Sequence, residues 1–371
     1  KFIACSLSIP FVGIEIAKVI EEIGGMSMKV IIPAAGVGTR LRPHTHTMPK
    51  ALVQVAGKPI LGYILDELSV LDVEELFIIV GYMGDKIKNY VDTHYNFKTI
   101  YLEQKQRLGL GHAINLARDY VEGQPVLITL DDTIFEMDLA AITQDGYSYI
   151  GAKEVDDPRR FGIIELENVW KPHQRQRLMG FIKRLIEKPE NPPTNIAIVG
   201  VYYIQNSSLL FECLQKLIDE DIRTQNEYQL TDGLQLMLER GEKLKVASVS
   251  DFFCCFDKRF RVGVKATRHW HDCGKPETLL ATNRYLLQKH TKNYSLSNSI
   301  IIPPVFIADT AEIENSLIGP YVSIAGGSKV KQAIIQDSII NENAKVENVL
   351  LTQSLIGENA LVRGQYSRLN V

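Results

Sequence analysis

From Met28 onward the chain alternates short apolar runs with stretches of helical period. The runs Lys29 to Pro33, Leu76 to Val80, Thr99 to Leu102 and Val126 to Leu130 are apolar along nearly their whole length, the pattern of strands buried on both faces. Between them Ile60, Leu61, Ile64, Leu65 and Leu68 share one helical face behind Pro59, which suits a first helical position. Further helical segments cover Asp85 to Val91 and Gly111 to Tyr120. This order predicts an α/β fold with a doubly wound, mostly parallel, Rossmann-like sheet.

Beyond Ile150 the pattern mixes. Strands are expected around Phe161 to Ile164 and over Ile198 to Ile204, and helices over Ser208 to Leu217, Leu230 to Arg240 and Pro276 to Leu287. The polar stretch Lys289 to Ser299, rich in Ser and Asn, reads as a linker. After it one template recurs, an aliphatic residue followed by small and polar ones: Ile307-Ala308-Asp309-Thr310-Ala311, Ile318-Gly319-Pro320, Ile324-Ala325-Gly326, Ile340-Asn341-Glu342-Asn343-Ala344 and Ile356-Gly357-Glu358-Asn359-Ala360. The last two units start 16 residues apart. A hexapeptide period lets one aliphatic per face point to an axis while a small residue turns each corner, so a short left-handed parallel β-helix is predicted. The pattern divides the chain into an N-terminal extension or leader over 1–27, an α/β domain over 28–290, a linker over 291–299 and a β-helix over 300–371.

Composition narrows the function classes. With 371 residues, 45% hydrophobic and 23% charged, the chain has ordinary globular usage and length for two domains. The 41 Lys and Arg against 44 Asp and Glu leave a net charge of −3, so no overall positive field recruits nucleic acid. The five cysteines include no C-x-x-C pair, which argues against a zinc site or disulfide framework and leads us to expect a reducing cytoplasm. The most apolar stretch, Phe2 to Ile23, is interrupted by Glu15, Lys18, Glu21 and Glu22, so no membrane span is expected.

Candidate chemistry concentrates in the loop Gly36-Val37-Gly38-Thr39-Arg40-Leu41-Arg42-Pro43, directly after the first strand, and in the following Pro49-Lys50. A glycine loop at a strand's end presents backbone N–H groups to phosphate oxygens, Arg40 adds a bidentate fork and Lys50 a mobile charge, so a polyphosphate is the implied ligand. The spacing fits neither a dinucleotide fingerprint nor a P-loop. Asp132, in Leu130-Asp131-Asp132-Thr133, stands at a strand end where open sheets bind ligands and offers Mg²⁺ a hard oxygen. The amide of Gln104 matches the O4/N3 edge of thymine or uracil. His112 is expected to pack or cap.

The runs Ile32-Pro33-Ala34-Ala35-Gly36-Val37-Gly38-Thr39-Arg40-Leu41-Arg42-Pro43, Met48-Pro49-Lys50-Ala51-Leu52 and Ala56-Gly57-Lys58-Pro59-Ile60 strongly resemble the sugar-1-phosphate nucleotidylyltransferases, or nucleotide-sugar pyrophosphorylases, and most of all their glucose-1-phosphate thymidylyltransferase branch. The likeness extends over roughly Met28 to Leu287. Pro33 and Ala35 stand where many thymidylyltransferases carry Leu and Gly. The resemblance implies nucleotide contacts from Ala34, Ala35, Gly36, Gly38, Thr39, Gln104 and Gly109, and phosphate contacts from Arg40 and Lys50. It implies a sugar-phosphate pocket from Gly162, Glu187, Lys188, Gly200 and Tyr202, and a magnesium pair from Asp132 and Asp272. The segment Asn226 to Asp232 also looks family-like and is given a structural role.

The expected reaction joins a nucleoside triphosphate, dTTP or UTP favoured, to a sugar-1-phosphate, glucose-1-phosphate favoured, with Arg40, Lys50, Asp132 and Lys188 as catalytic groups. Mannose-1-phosphate with GTP, an added acetyltransferase activity, and a non-catalytic sugar-nucleotide sensor are the competing readings. A homo-oligomer built through the β-helix is expected.

Overall fold

A computed structural model describes residues 27–121, 123–137, 139–143, 145–167, 180–248, 270–289 and 292–364. The extension expected over 1–27 lies outside the described residues except for Ser27, as do Cys5, Cys254 and Cys255. Among the described residues no helix is long and apolar enough to cross a membrane.

A nine-stranded sheet organises the described residues between Met28 and Ser248. Its strands are β1 (Met28–Ala34), β2 (Val73–Val80), β3 (Thr99–Glu103), β4 (Val126–Thr129), β5 (Ser148–Glu154), β6 (Gly162–Leu166), β7 (Ile182–Glu187), β8 (Ile196–Ile204) and β9 (Leu244–Ser248). The path runs β7-β6-β8-β4-β1-β2-β3, with β5 beside β8 and β9 beside β5. The strands β4, β1, β2 and β3 are mutually parallel, as their doubly apolar sequences predict. The other half is mostly antiparallel, with β8 opposite β4, β6 and β5, and β7 opposite β6. Rossmann-like order thus covers one half of a mixed sheet.

The helices lie on both faces: α1 (Ile60–Leu68), α2 (Gly84–His94), α3 (Leu110–Asn115), α4 (Ser207–Asp219), α5 (Leu230–Glu239) and α6 (Pro276–Leu287). The apolar face read from α1 is fully buried at Ile60, Leu61, Leu65 and Leu68. The single helix expected from Gly111 to Tyr120 is two pieces, α3 and a turn over Arg118–Val121. Alternate residues of β1 feed two cores, Val30, Ile32 and Ala34 on one face and Ile31 on the other.

The C-terminal region is three parallel four-stranded sheets, the stacked coils of a left-handed β-helix. Its rungs repeat in register, Ile300, Leu317, Ile334 and Leu350 on one face, and Ile307, Ile324, Ile340 and Ile356 on the next. The axis is filled by Ile307, Ile318, Ile324, Val330, Ile335, Ile340 and Val346, all buried. Corners fall on left-handed residues such as Asn315, Gln332 and Asn348, where Asn tolerates a positive φ better than branched residues do. The stretch read as a linker lies along the first coil, Lys292 pairing with Asp309 at 2.8 Å and the Tyr294 hydroxyl accepting from the Ile307 N–H at 3.0 Å.

Candidate active site

The cleft arises from a mismatch in strand length. The second half of β8 pairs with β4, but its first residues run past the carboxyl end of β4, and there Ala197 pairs with Ile163 of β6. β6 and β7 therefore rise beyond the parallel strands and form a second wall. At the point of departure Gly200 takes φ +81° and lies against Leu130, whose N–H donates to the Gly200 carbonyl at 2.9 Å. A Cβ there would meet Leu130 at 2.9 Å, so the bulge needs glycine. The enclosed cleft measures about 510 Å³, within the range of small-molecule sites.

The glycine loop after β1 builds the first wall. Gly38 adopts φ +65° and is wedged between Thr45 and Lys50, and the Thr45 hydroxyl donates to its carbonyl at 2.9 Å. Ala35, Gly36, Gly38, Thr39 and Arg40 all line the cleft, with Arg40 exposed to it. Ala34 does not. It shares the buried face of Val30 and Ile32, because side chains alternate along a strand and the cleft takes Pro33 and Ala35.

A short antiparallel pair, Thr133–Phe135 with Trp270–Asp272, joins residues more than a hundred positions apart and brings Asp132 beside Asp272. The Cys273 N–H donates to the Asp132 carbonyl at 2.9 Å. Gly274 keeps the floor open: a Cβ there would lie 2.8 Å from Asp272 Oδ1 and 3.7 Å from Asp132 Oδ2. Two hard oxygen donors thus converge on one small space. Lys50 Nζ bonds Asp132, and Arg160 Nη2 lies 3.7 Å from Asp272 Oδ2.

Burial works against ionising Asp132, but the charge and hydrogen bond of Lys50 outweigh it and hold the carboxyl below its ordinary range. Asp131, without that bond, is pushed up by burial. Burial also disfavours the Lys50 ammonium, yet Asp132, Asp131 and Asp272 together raise it, so it stays a cation.

On the second wall Glu187 accepts from Thr231 Oγ1 at 2.6 Å with one oxygen and pairs with Lys188 at 2.7 Å with the other. Lys188 holds φ +40°, a strained value for a residue with a Cβ, of the kind that clusters at ligand sites. Gly162 leaves room beside Glu187, since a Cβ would approach its Oε2 to 3.2 Å. Tyr202 is buried beneath, and burial followed by the Glu187 and Asp132 charges raises its hydroxyl pKa. Thr231 belongs to the segment given only a structural role from sequence, and here it orients a cleft carboxylate.

Gln104 is 7% exposed and lies at the end of the cleft. Its Nε2 donates to the Gly109 carbonyl at 3.1 Å and meets His112 Nδ1 at 3.0 Å, so His112 orients Gln104 beyond mere packing. Burial lowers the His112 pKa, which favours the neutral ring. Gly109, at φ +106°, packs on Tyr228, whose carbonyl a Cβ would meet at 2.6 Å.

Sequence reasoning missed Arg160 and Arg107, which also line the cleft. Arginines in loops read as solvated surface, and nothing in their spacing marks them. The Asp157-Pro158 pair that sets the turn before Arg160 was the available signal, with the Asp157 carboxylate capping the Arg159 N–H.

The sequence matches the nucleotidyl transferase family over residues 29–289. Across 343 residues it is 29% identical to the low-salt glycan biosynthesis nucleotidyltransferase Agl11 of Haloferax volcanii, covering 84% of this chain and 87% of that one. It is 34% identical over 262 residues to the bifunctional protein GlmU of Methanocaldococcus jannaschii, covering 71% of this chain but only 55% of the relative's length. The glucose-1-phosphate thymidylyltransferase of Streptomyces griseus is 25% identical over 348 residues, with 85% of this chain and 88% of the relative covered. In fold, 71% of the chain superposes on all of a UDP-glucose pyrophosphorylase complexed with UDP-glucose, at a TM-score of 0.58 and 24% identity. With the cleft's two walls in place and the family matched across the α/β domain, the chain belongs to the nucleotidyl transferase family.

Proposed function

We propose that the chain transfers a nucleotidyl group from a nucleoside triphosphate, dTTP or UTP, to a sugar-1-phosphate, with glucose-1-phosphate favoured, and releases pyrophosphate. The observation that carries this reading is the order of charges along the cleft. Arg40 and Lys50 stand on the glycine-loop wall, Lys188 stands on the far wall, and the Asp132–Asp272 pair follows the strand between them. Two polyanions must meet there, and two unit charges 4 Å apart in a protein site repel by about 4 kcal/mol. Cations fixed before binding offset that repulsion without reorganising during the reaction.

In this reading Arg40 and Lys50 take the triphosphate and Lys188 orients the sugar phosphate, whose oxygen attacks the α-phosphorus. No general base is required, because a phosphate monoester is already ionised near neutral pH. Asp132 and Asp272 would hold Mg²⁺, to which they offer two hard carboxylate oxygens facing the space beside Gly274. Bound there, the ion supplies further neutralisation of the phosphate charge. Because a carbonyl only accepts, the Gly109 oxygen fixes the Gln104 amide nitrogen toward itself and leaves the carbonyl oxygen Oε1 for a base. An acceptor there suits the N3–H of thymine or uracil.

The test mixes dTTP, UTP or GTP with glucose-1-phosphate or mannose-1-phosphate and Mg²⁺ and measures pyrophosphate. A pyrimidine triphosphate with glucose-1-phosphate should be fastest, a GTP and mannose-1-phosphate optimum would reassign the substrates, and silence in every pair would refute the enzyme. Arg40→Ala and Asp132→Ala should each lower kcat at least ~10²-fold, as loss of one preorganised electrostatic group does.

A further inference from the structure

The β-helix grips the α/β domain at two elements that adjoin cleft residues in the chain. The first is α6, which begins just past Asp272. Three consecutive side chains on it reach in different directions. Thr282 Oγ1 meets Cys273 Sγ at 3.6 Å, next to Asp272. Asn283, fully buried, accepts from the Ala56 N–H at 2.8 Å and the Ser323 hydroxyl at 2.6 Å, and donates to the Tyr321 carbonyl at 3.3 Å. Arg284 forks onto both oxygens of Asp337.

The second element is the hairpin Gln54–Val55 with Lys58–Pro59, which follows the turn Lys50–Leu52. It is held to the β-helix by Gln54 Nε2, which donates to Glu342 at 2.7 Å, and by Phe306, whose ring fills the space beside Gly57. Gly57 has φ +87° and no room for a Cβ.

We propose that Asn283 is a positioning residue through which the β-helix fixes the separation of Lys50 from Asp272. Its amide bonds at once to the hairpin that follows the Lys50 turn and to two residues of the β-helix, while its own helix starts just past the Asp272 strand. Directional bonds in a dry seam hold these elements in register, whereas an apolar side chain would let them slide. This inference rests on the roles given above to Lys50 and Asp272.

The experiment compares Asn283→Ala with Ile335→Val, a control inside the β-helix, at matched thermal stability. Readouts are kcat, KM and Mn²⁺ affinity measured by electron paramagnetic resonance without nucleotide. Asn283→Ala should lower kcat by about tenfold or more with little change in KM, since small misplacements of reacting groups act on the chemical step, and should weaken Mn²⁺ binding. The control should move neither. Arg284→Asp should impair turnover, and Arg284→Asp with Asp337→Arg should restore it. Equal effects in Asn283→Ala and the control, or failure of the folded double variant to recover, would overturn the proposal. If Asn283→Ala does not fold, the charge swap decides alone. If the wild-type chain releases no pyrophosphate, the reading of function fails by itself, and unchanged Mn²⁺ affinity in Asn283→Ala would overturn this inference separately.

Discussion

The β-helix and the cleft are built by opposite uses of the same local rules. In the β-helix the aliphatic residues of the central coils are buried on the axis, the left-handed corners fall mostly on Asn, Asp and Gly, and the rungs stay in register from coil to coil. In the cleft the rules are broken: a lysine holds φ +40°, a bulge at Gly200 interrupts β8, and Asp131 is buried beside Asp132. Strain and unpaired charge collect where a substrate would relieve them.

Cutting into the regular half should break stability and leave chemistry alone. Ile335 is fully buried on the axis, so Ile335→Ala should cost about 2–5 kcal/mol, the range for truncating a buried isoleucine. Denaturant unfolding measures the loss, and turnover of the remaining folded protein should stay within about twofold of wild type. A loss of turnover out of proportion to unfolding would show that coil packing reaches the cleft.

Relieving the irregular half should do the reverse. Burial raises the Asp131 pKa, so its ionisation disfavours the folded state. The penalty is absent below the ordinary carboxylate range near pH 4, grows as pH climbs toward the raised folded value, and is complete above it. Asp131→Asn, nearly isosteric, should therefore stabilise the protein by about 1–3 kcal/mol at pH 8 and by little at pH 4. Melting curves across that range check it; equal gains at both ends would mean that charge is not the cause.

The same contrast explains what the sequence discloses. Periodic features are legible: the apolar strands β1, β2 and β4, the helix Pro276–Leu287 to the residue, and the repeats of the β-helix. Asp132 stands out because it ends an apolar run and Asp272 through the family resemblance, while the short antiparallel pair brings the two together. In the antiparallel half β6 and β8 are legible but β5, β7 and β9 are not, and β7 mixes Lys183 and Arg184 into an apolar alternation. Ala34 was placed at the ligand because the motif includes it, but the pleat of β1 turns it to the core. Arg160 and Thr231 act through tertiary neighbours that no local pattern encodes.

The smallest effect separates the two outward faces of the β-helix. On one, charges pair between successive coils, Glu312 with Lys329 at 2.9 Å and Glu314 with Lys331 at 3.0 Å, so the ladder neutralises itself. On the other, Ile300, Ile334 and Leu350 stack in register and remain exposed, Leu350 at 71%. A charged face that is already satisfied gains little from a partner, whereas an aliphatic column gains from burial against a second copy, which favours the expected homo-oligomer. Ile334→Lys with Leu350→Lys should leave folding within about 0.5 kcal/mol, as exposed substitutions do, and lower the mass measured by light scattering. An unchanged mass would place self-association on another surface and leave this column without that role.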